Sequence, residues 1–279
     1  MSIPIAIRTC NRAVFLDTTL KSIMATELPS DIKIVIIDDC SADEVTKKYL
    51  FTNEEIVLPE EYIWPTTPKW IGKVGEIPNV SKLVGIKDKM EVVQPESRKG
   101  VRGGIFYCID YMMERFTESE AIIVIEADVV FHKDWYKALI NAYDKCKNEK
   151  GPNGDKLGLL SCYDRRGKNI KTDYSWGWRS VKKLSNGNIS CGNGIGGCQY
   201  LVTREFYNRG MVAFKKTYHP NLRSGDTSLQ ACCFHANCNI AITVPTLIQH
   251  IGLVSLAWPE KNWRHAVNFL KPLAWRNEI

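Results

Sequence analysis

The chain has 279 residues, 44% hydrophobic and 24% charged, which excludes a disulfide-stapled miniprotein, a fibrous protein and wholesale disorder. No apolar run reaches the roughly 18 residues of a membrane span and the N-terminus lacks the zones of a signal peptide, so the expectation is a cytoplasmic protein with no membrane partner. The net charge of +6 is uneven: residues 1–150 hold 20 Lys and Arg against 24 Asp and Glu, and residues 151–279 hold 17 against 7, an excess that attracts polyanions, nucleic acid first.

Ile3–Ile7 reads as a short apolar strand, followed by polar Arg8–Arg12 and then by Leu16, Leu20, Ile23 and Met24 at helical spacing. Ile32–Ile37 is almost continuously apolar, as a parallel strand covered on both faces is, and it runs into Asp38 and Asp39. Residues 51–96 are rich in Pro, Glu and Trp and read as an excursion or insertion. A basic loop, Ser97–Gly104, carries Arg98, Lys99 and Arg102; beyond it Ile105, Ile109, Met112, Met113 and Phe116 mark one face of a helix. Ala121–Ile125 is a buried strand ending in Glu126-Ala127-Asp128, and a helix over about 133–147 turns Tyr136, Leu139, Ile140 and Tyr143 inward.

Past residue 150, Leu157–Tyr163, Gln199–Thr203 and Ile240–Val244 read as strands and Asp226–His235 as a helix. The alternation implies an α/β fold, an open and mostly parallel sheet flanked by helices, whose ligands gather outside the carboxyl ends of the strands. Both acidic motifs sit at that edge. A soft boundary near residue 150 separates residues 1–150 from a basic half, residues 151–279, within one compact unit.

Two carboxylate-tipped strands with a basic loop between them suit a pyrophosphate held through Mg²⁺ or Mn²⁺, with Asp128 as the main metal ligand. The plainer reading makes Glu126 and Asp128 caps of the helix that follows. The ten cysteines read as buried thiols of a reducing compartment. Cys232, Cys233, His235 and Cys238 could ligate a metal, but their spacing fits no zinc-finger template and the stretch reads as one helix.

Pro4-Ile-Ala-Ile-Arg-Thr-Cys-Asn-Arg12, Leu20-Lys-Ser-Ile23 and Ile34-Val-Ile-Ile-Asp-Asp-Cys-Ser-Ala-Asp43 resemble the opening of the family 2 nucleotide-sugar glycosyltransferases, which have the Rossmann-like GT-A fold. The resemblance implies a donor-binding half in which Asp39 contacts the nucleotide base and Thr9 to Arg12 lie beside it. A carboxylate accepts from uracil N3–H and repels the unprotonated N3 of cytosine, which favours a UDP-sugar. Arg98, Lys99 and Arg102 are then candidate diphosphate contacts. The family's Asp-x-Asp metal motif stands here as Glu126-Ala127-Asp128, with Glu126 on the metal or on sugar hydroxyls.

Ser224-Gly-Asp226-Thr-Ser-Leu229 resembles the helix start that supplies the base of inverting members, and Asp226 is the sole acidic residue between Glu205 and Glu260. Val244–Gly252 resembles the stretch from which such enzymes send a His, here His250, to the metal. Gly192–Gly197 matches G-x-G-x-x-G but precedes a strand-like run, so it reads as a turn that lets backbone approach the sugar. Trp176 and Trp178 would form an aromatic platform for a sugar or a base, the plainer reading being ordinary packing, and Arg165 and Arg166 would contact the acceptor.

The implied activity is a metal-dependent inverting transfer of a hexose or pentose, with Mn²⁺ or Mg²⁺ as cofactor. The leading acceptor is a hydroxymethylated pyrimidine in DNA, as in small bacteriophage enzymes of similar outline. The alternative is a cell-surface glycan or lipid precursor. From other classes, a nucleotidyltransferase would need a Gly-rich N-terminal loop that Arg8–Arg12 lacks, and a non-catalytic nucleic-acid-binding module would not need the paired acidic strand ends.

Overall fold

The computed structural model describes residues 2–58, 82–151, 154–163, 177–180, 198–211, 225–244 and 246–250. Its centre is an eight-stranded sheet assembled from β1 (Ile5–Thr9), β2 (Ile34–Asp38), β5 (Glu91–Val93), β6 (Ala121–Glu126), β8 (Lys156–Ser161), β9 (Gly177–Ser180), β10 (Gln199–Thr203) and β11 (Cys238–Val244). The spatial order is β5-β2-β1-β6-β10-β8-β11-β9. Six strands run one way, and β10 and β9 run against them. This is the open α/β sheet that the alternation of elements implies.

The period of two along each strand divides the core. Ile5, Ile7, Ile123 and Ile125 join a cluster with α1 (Ala13–Met24), α2 (Glu44–Phe51) and α4 (Trp135–Cys146). On the other face Ala6, Ile122 and Val124 meet α3 (Gly100–Arg115) and α5 (Gly225–His235). Each fully buried Ile or Leu contributes about 1.5–3 kcal/mol. The largest core side chain, Trp135, has its indole N–H satisfied by Thr26 Oγ1 at 3.1 Å.

Several boundaries differ from the sequence reading. Met24 ends α1 61% exposed, on the side of the last turn away from buried Ser22 and Ile23. Ile32 lies ahead of β2 and is half-buried, while Ile140 only partly covers the core. Residues 51–96 are not a single excursion: β3 (Glu55–Val57) and β4 (Lys82–Val84) form a hairpin, and β5 extends the main sheet beside β2. Residues 59–81 lie outside the described residues. The loop expected at 97–104 is helical from Gly100 onward; its glycines, each costing about 1 kcal/mol in a helix, hid this, and the compensation comes from Asp39, described below.

Strand alignment places the carboxyl ends together. Thr9 pairs with Asp38 and Arg8 with Glu126, so the ends of β1, β2 and β6 share one edge. Just beyond β6, β7 (Val129–Phe131) forms an antiparallel pair with β12 (Ile248–His250). Buried Thr19 of α1 both donates to Val129 O (2.8 Å) and accepts from its N–H (3.1 Å), and Ser22 Oγ accepts from Phe131 N (2.8 Å). Two polar residues inside an apolar helix face thereby fix β7, and with it Asp128.

Candidate active site

At this edge a cleft of about 150 Å³ is lined by the loops after β1 and β2, the start of α3, the acidic motif and His250. The first two loops hold each other. Asn11 Oδ1 accepts from the backbone N–H of Ala42 (2.7 Å) and Asp43 (3.2 Å), and Asn11 N donates to Ser41 Oγ (2.7 Å). Asn11 and Cys40 both take left-handed backbone, φ 53° each, a conformation that costs an L-residue of order 1–3 kcal/mol and collects at functional sites.

Asp38 and Asp39 divide the work. Asp38 is fully buried and accepts from Ser41 N (3.0 Å), from the Ser41 hydroxyl and from Gln94 Nε2 (2.7 Å), so it ties the turn together. Asp39 faces the cleft, and its two oxygens accept the N–H groups of Lys99 (2.6 Å) and Gly100 (2.7 Å). It caps α3 from another segment, where the positive end of the helix dipole favours a carboxylate. Gly100, at φ +71°, turns its N–H to that carboxylate in a conformation that would cost a side-chain-bearing residue about 1–2 kcal/mol.

The floor is a knot of opposite charges. Asp128, 2% exposed, is ion-paired with Arg12 and lies 3.2 Å from His250 Nε2. Arg8 stands 3.8 Å from Glu126 and donates to Val101 O (2.9 Å). Burial alone would raise the Asp128 carboxyl, but the His250 and Arg12 charges overcome it and hold the group well below the usual carboxylate range. Burial and the neighbouring Asp128 charge push Glu126 up. Burial opposes the charged form of His250, and the Asp128 carboxylate more than compensates, so its pKa is raised.

The donor set suits a divalent cation. Asp128 Oδ1 is buried and has no hydrogen-bond partner among the described residues. One ligand atom each from Glu126, Cys198 and His250 lie within 4.8 Å of one another, a grouping unique among the described residues. Arg12 holds the same carboxylate, so a cation bound there would share Asp128 with the guanidinium.

Of the residues singled out in the sequence, Thr9, Arg12, Asp39, Arg98, Glu126, Asp128 and His250 line this cleft. Lys99 contributes its backbone N–H to Asp39, while its ammonium lies 3.3 Å from Ser97 Oγ on the exposed side. Arg102 sits half-buried in the first turn of α3, and Gly225 at the start of α5 packs against its Cα. Asp226 occupies the first turn of α5. Burial, then the charges of Asp226 and Glu126, push the Tyr200 hydroxyl far above its ordinary value, so both carboxylates bear on that ring from β10. Trp178 lies in β9 opposite Thr243; Arg165, Arg166, Trp176 and the Gly192–Gly197 turn lie outside the described residues.

The cysteines near α5 sit in the core. Burial pushes the Cys232 thiol up to about 12 and Cys238 up to about 11, and Cys233 and Cys238 donate to backbone carbonyls. The sequence alone does not single out Arg8, Gln94, Cys198 or Tyr200. Arg8 carried a signal, since a charge inside the Ile5–Thr9 strand must find a partner; the others did not.

No protein-family model matches the chain, and a search of curated proteins returns no match. Solved structures give distant likenesses. Staphylococcus aureus TarS 1-349 in complex with UDP-GlcNAc is 13% identical with a TM-score of 0.46, over 89% of this chain and 57% of that one. The mannosyltransferase PcManGT from Pyrobaculum calidifontis, in complex with GDP-Man and Mn²⁺, is 15% identical with a TM-score of 0.39, over 81% of this chain and 49% of that one. The galactosyltransferase LgtC, in complex with donor and acceptor sugar analogues, is 12% identical with a TM-score of 0.42, over 83% and 70%. The chain thus spans under two thirds of the first two proteins. Among the described residues no helix is long and apolar enough to cross a membrane.

Proposed function

We propose that the protein is a metal-dependent inverting glycosyltransferase of the GT-A type, taking its sugar from a UDP-sugar. The observation that carries this reading is the convergence of His250 on Asp128, whose second oxygen is buried without a hydrogen-bond partner among the described residues, at the strand edge that also carries Asp39. Asp128 and His250 hold the cation, which when bound neutralises charge developing on the leaving diphosphate. Arg98 at the cleft mouth and Arg8 on its floor supply further positive charge beside that diphosphate.

Asp39 accepts two backbone N–H bonds, and each carboxylate oxygen keeps a further lone pair, so uracil N3–H becomes a third donor to the same group. Asp226 deprotonates the acceptor hydroxyl; what supports this is its place in the first turn of α5, where its charge, like that of Glu126, bears on the Tyr200 hydroxyl. The test is release of UDP from a panel of UDP-sugars with Mn²⁺, and its loss in Asp128→Asn. Hydrolysis or transfer undiminished by that substitution, or unchanged in chelator, would refute the reading.

For the acceptor we infer a polyanion, with a hydroxymethylated pyrimidine of DNA as the specific proposal. Its support is the charge of residues 151–279, with 17 basic against 7 acidic residues. Binding should then weaken with salt by about 0.9 in the log–log slope per phosphate contact, and Arg165→Ala with Arg166→Ala should flatten it by about two contacts. Mass spectrometry of hydroxymethylated DNA beside oligosaccharide and lipid acceptors decides the class. Sugar found on a glycan or lipid alone would replace DNA as the acceptor.

A further inference from the structure

We propose that Cys198 is a thiolate ligand of the cation at this site, and that the donor set it completes selects a borderline-soft ion, Zn²⁺ or Co²⁺, over Mg²⁺. The inference rests on the reading of Asp128 and His250 as metal ligands and deepens it.

Backbone pairing puts the thiol there. β10 runs antiparallel to β6 with Gln199 opposite Ile125, and one step further Glu126 N donates to Cys198 O at 2.9 Å. Residues directly opposite in an antiparallel pair project their side chains to the same face, Cβ atoms about 4.5–5.5 Å apart. Cys198 and Glu126 are such a pair. His250 reaches the same spot through β12, whose partner β7 starts one residue after Asp128.

The distances then fit one ion. Sγ of Cys198, a carboxylate oxygen of Glu126 and a ring nitrogen of His250 lie within 4.8 Å of one another. Ligand atoms at about 2.0–2.3 Å from a tetrahedral zinc stand roughly 3.3–3.7 Å apart, so rotamer adjustments of about 1 Å close the set. Next to this group Asp128 Oδ1 is buried without a hydrogen-bond partner among the described residues, and an unpaired buried carboxylate oxygen is costly. Asp128 stands beside this group, its Oδ2 3.2 Å from His250 Nε2, and the three ligands leave the fourth position open to the diphosphate.

Chemistry chooses among cations. Mg²⁺ demands near-octahedral oxygen ligation and keeps several waters, whereas thiolate and imidazole favour zinc and cobalt. On coordination the thiol loses its proton to solvent, so binding releases acid. Among the described residues Cys233 and Cys238 belong to no such group, and both donate to backbone carbonyls.

The experiment is titration of the metal-free full-length protein with Co²⁺, followed by optical spectroscopy, with Zn²⁺ and Mg²⁺ as competitors. The expected result is a near-ultraviolet thiolate-to-cobalt charge-transfer band, displaced by Zn²⁺ and not by equal Mg²⁺. Cys198→Ser should abolish the band and weaken Zn²⁺ binding by about 10-fold or more, while Mn²⁺ binding persists. As a check that needs no variant, Zn²⁺ should protect Cys198 from alkylation in peptide mass spectrometry. Cobalt binding without the band, a band that survives in Cys198→Ser, or unprotected Cys198 overturns the thiolate ligand and leaves the metal site standing. Failure of Co²⁺, Zn²⁺ and Mn²⁺ all to bind overturns both.

Discussion

His250 Nε2 lies 3.2 Å from Asp128 Oδ2, a contact that the β7–β12 pairing makes between the last described strand and the acidic motif in mid-chain. The pair links stability to pH in two directions. Asp128 titrates below its ordinary 3.8, so its contribution is present above that value and is lost as pH falls toward the folded value. His250 titrates above its ordinary 6.5, so its contribution is complete below 6.5 and is lost as pH rises through the folded value. Metal-free protein should therefore be more stable to urea at about pH 5.5 than at about pH 8.5, and His250→Gln should flatten that difference while leaving the acid limb, which Arg12 also supports. An unchanged alkaline slope in the variant would dissociate the imidazole from Asp128.

Arg12→Ala tests what balances Asp128 when the guanidinium is gone. A buried carboxylate deprived of its partner typically costs about 3–5 kcal/mol, and His250 recovers part of this, so a loss of about 2–4 kcal/mol is expected in chelator. A divalent cation should restore much of the deficit and bind more tightly than to the parent, because the like charge beside it has been removed. Thermal unfolding with and without Zn²⁺ or Mn²⁺ reads both effects. A deficit that no cation reduces would mean that Asp128 is an ion-pair partner only.

The strands and helices that bury apolar runs were legible in the sequence. Gln199–Thr203 and Ala121–Ile125 could be placed within a residue, because continuous apolar character leaves a β-strand few alternatives. Gly100–Gly104 was not legible as helix, since the carboxylate that caps it belongs to Asp39, far away in sequence. Asp39, Glu126 and Asp128 were legible as site residues by their place at strand ends. Cys198 was not: its relevance comes from an antiparallel partner, and nothing local in Gly197-Cys198-Gln199 announces that Glu126 stands opposite.

Asp39→Ala bears on the helix as well as on the nucleotide. From the sequence, Asp39 reads a base and its loss spares the fold. The two backbone N–H bonds it accepts from Lys99 and Gly100 make it the cap of a 16-residue helix, and removing such a cap costs about 1–2 kcal/mol. Denaturant unfolding should show that loss without any nucleotide present. Stability equal to the parent would return Asp39 to a purely ligand-facing role.

Tyr200→Phe should leave stability unchanged or raise it slightly. Tyr200 is fully buried and its hydroxyl has no hydrogen-bond partner among the described residues, so the group carries a desolvation penalty with no bond to offset it. Removing an unsatisfied polar atom of this kind relieves a penalty of about 1 kcal/mol. A loss of more than about 1 kcal/mol in the urea midpoint comparison would show that the hydroxyl is bonded in solution.

Asp226→Asn separates two roles that one carboxylate can fill. In the first turn of α5 its charge favours the helix N-terminus by about 0.3–1 kcal/mol, and an amide keeps the size and much of the local hydrogen bonding. A helix-start role alone would therefore show as a small fall in stability with turnover intact. In the proposed role of acceptor base, Asp226 would act in the transition state, and a positioned base typically contributes 10²–10⁴-fold. The expected result is a loss of turnover in that range, with UDP-sugar affinity and the fold nearly unchanged, because ground-state binding does not use the proton transfer. Proton NMR of the parent's product should show an inverted anomeric centre, as direct displacement requires. A retained anomer, or full turnover in the variant, would remove Asp226 from the chemistry and leave it as a carboxylate at the start of a helix.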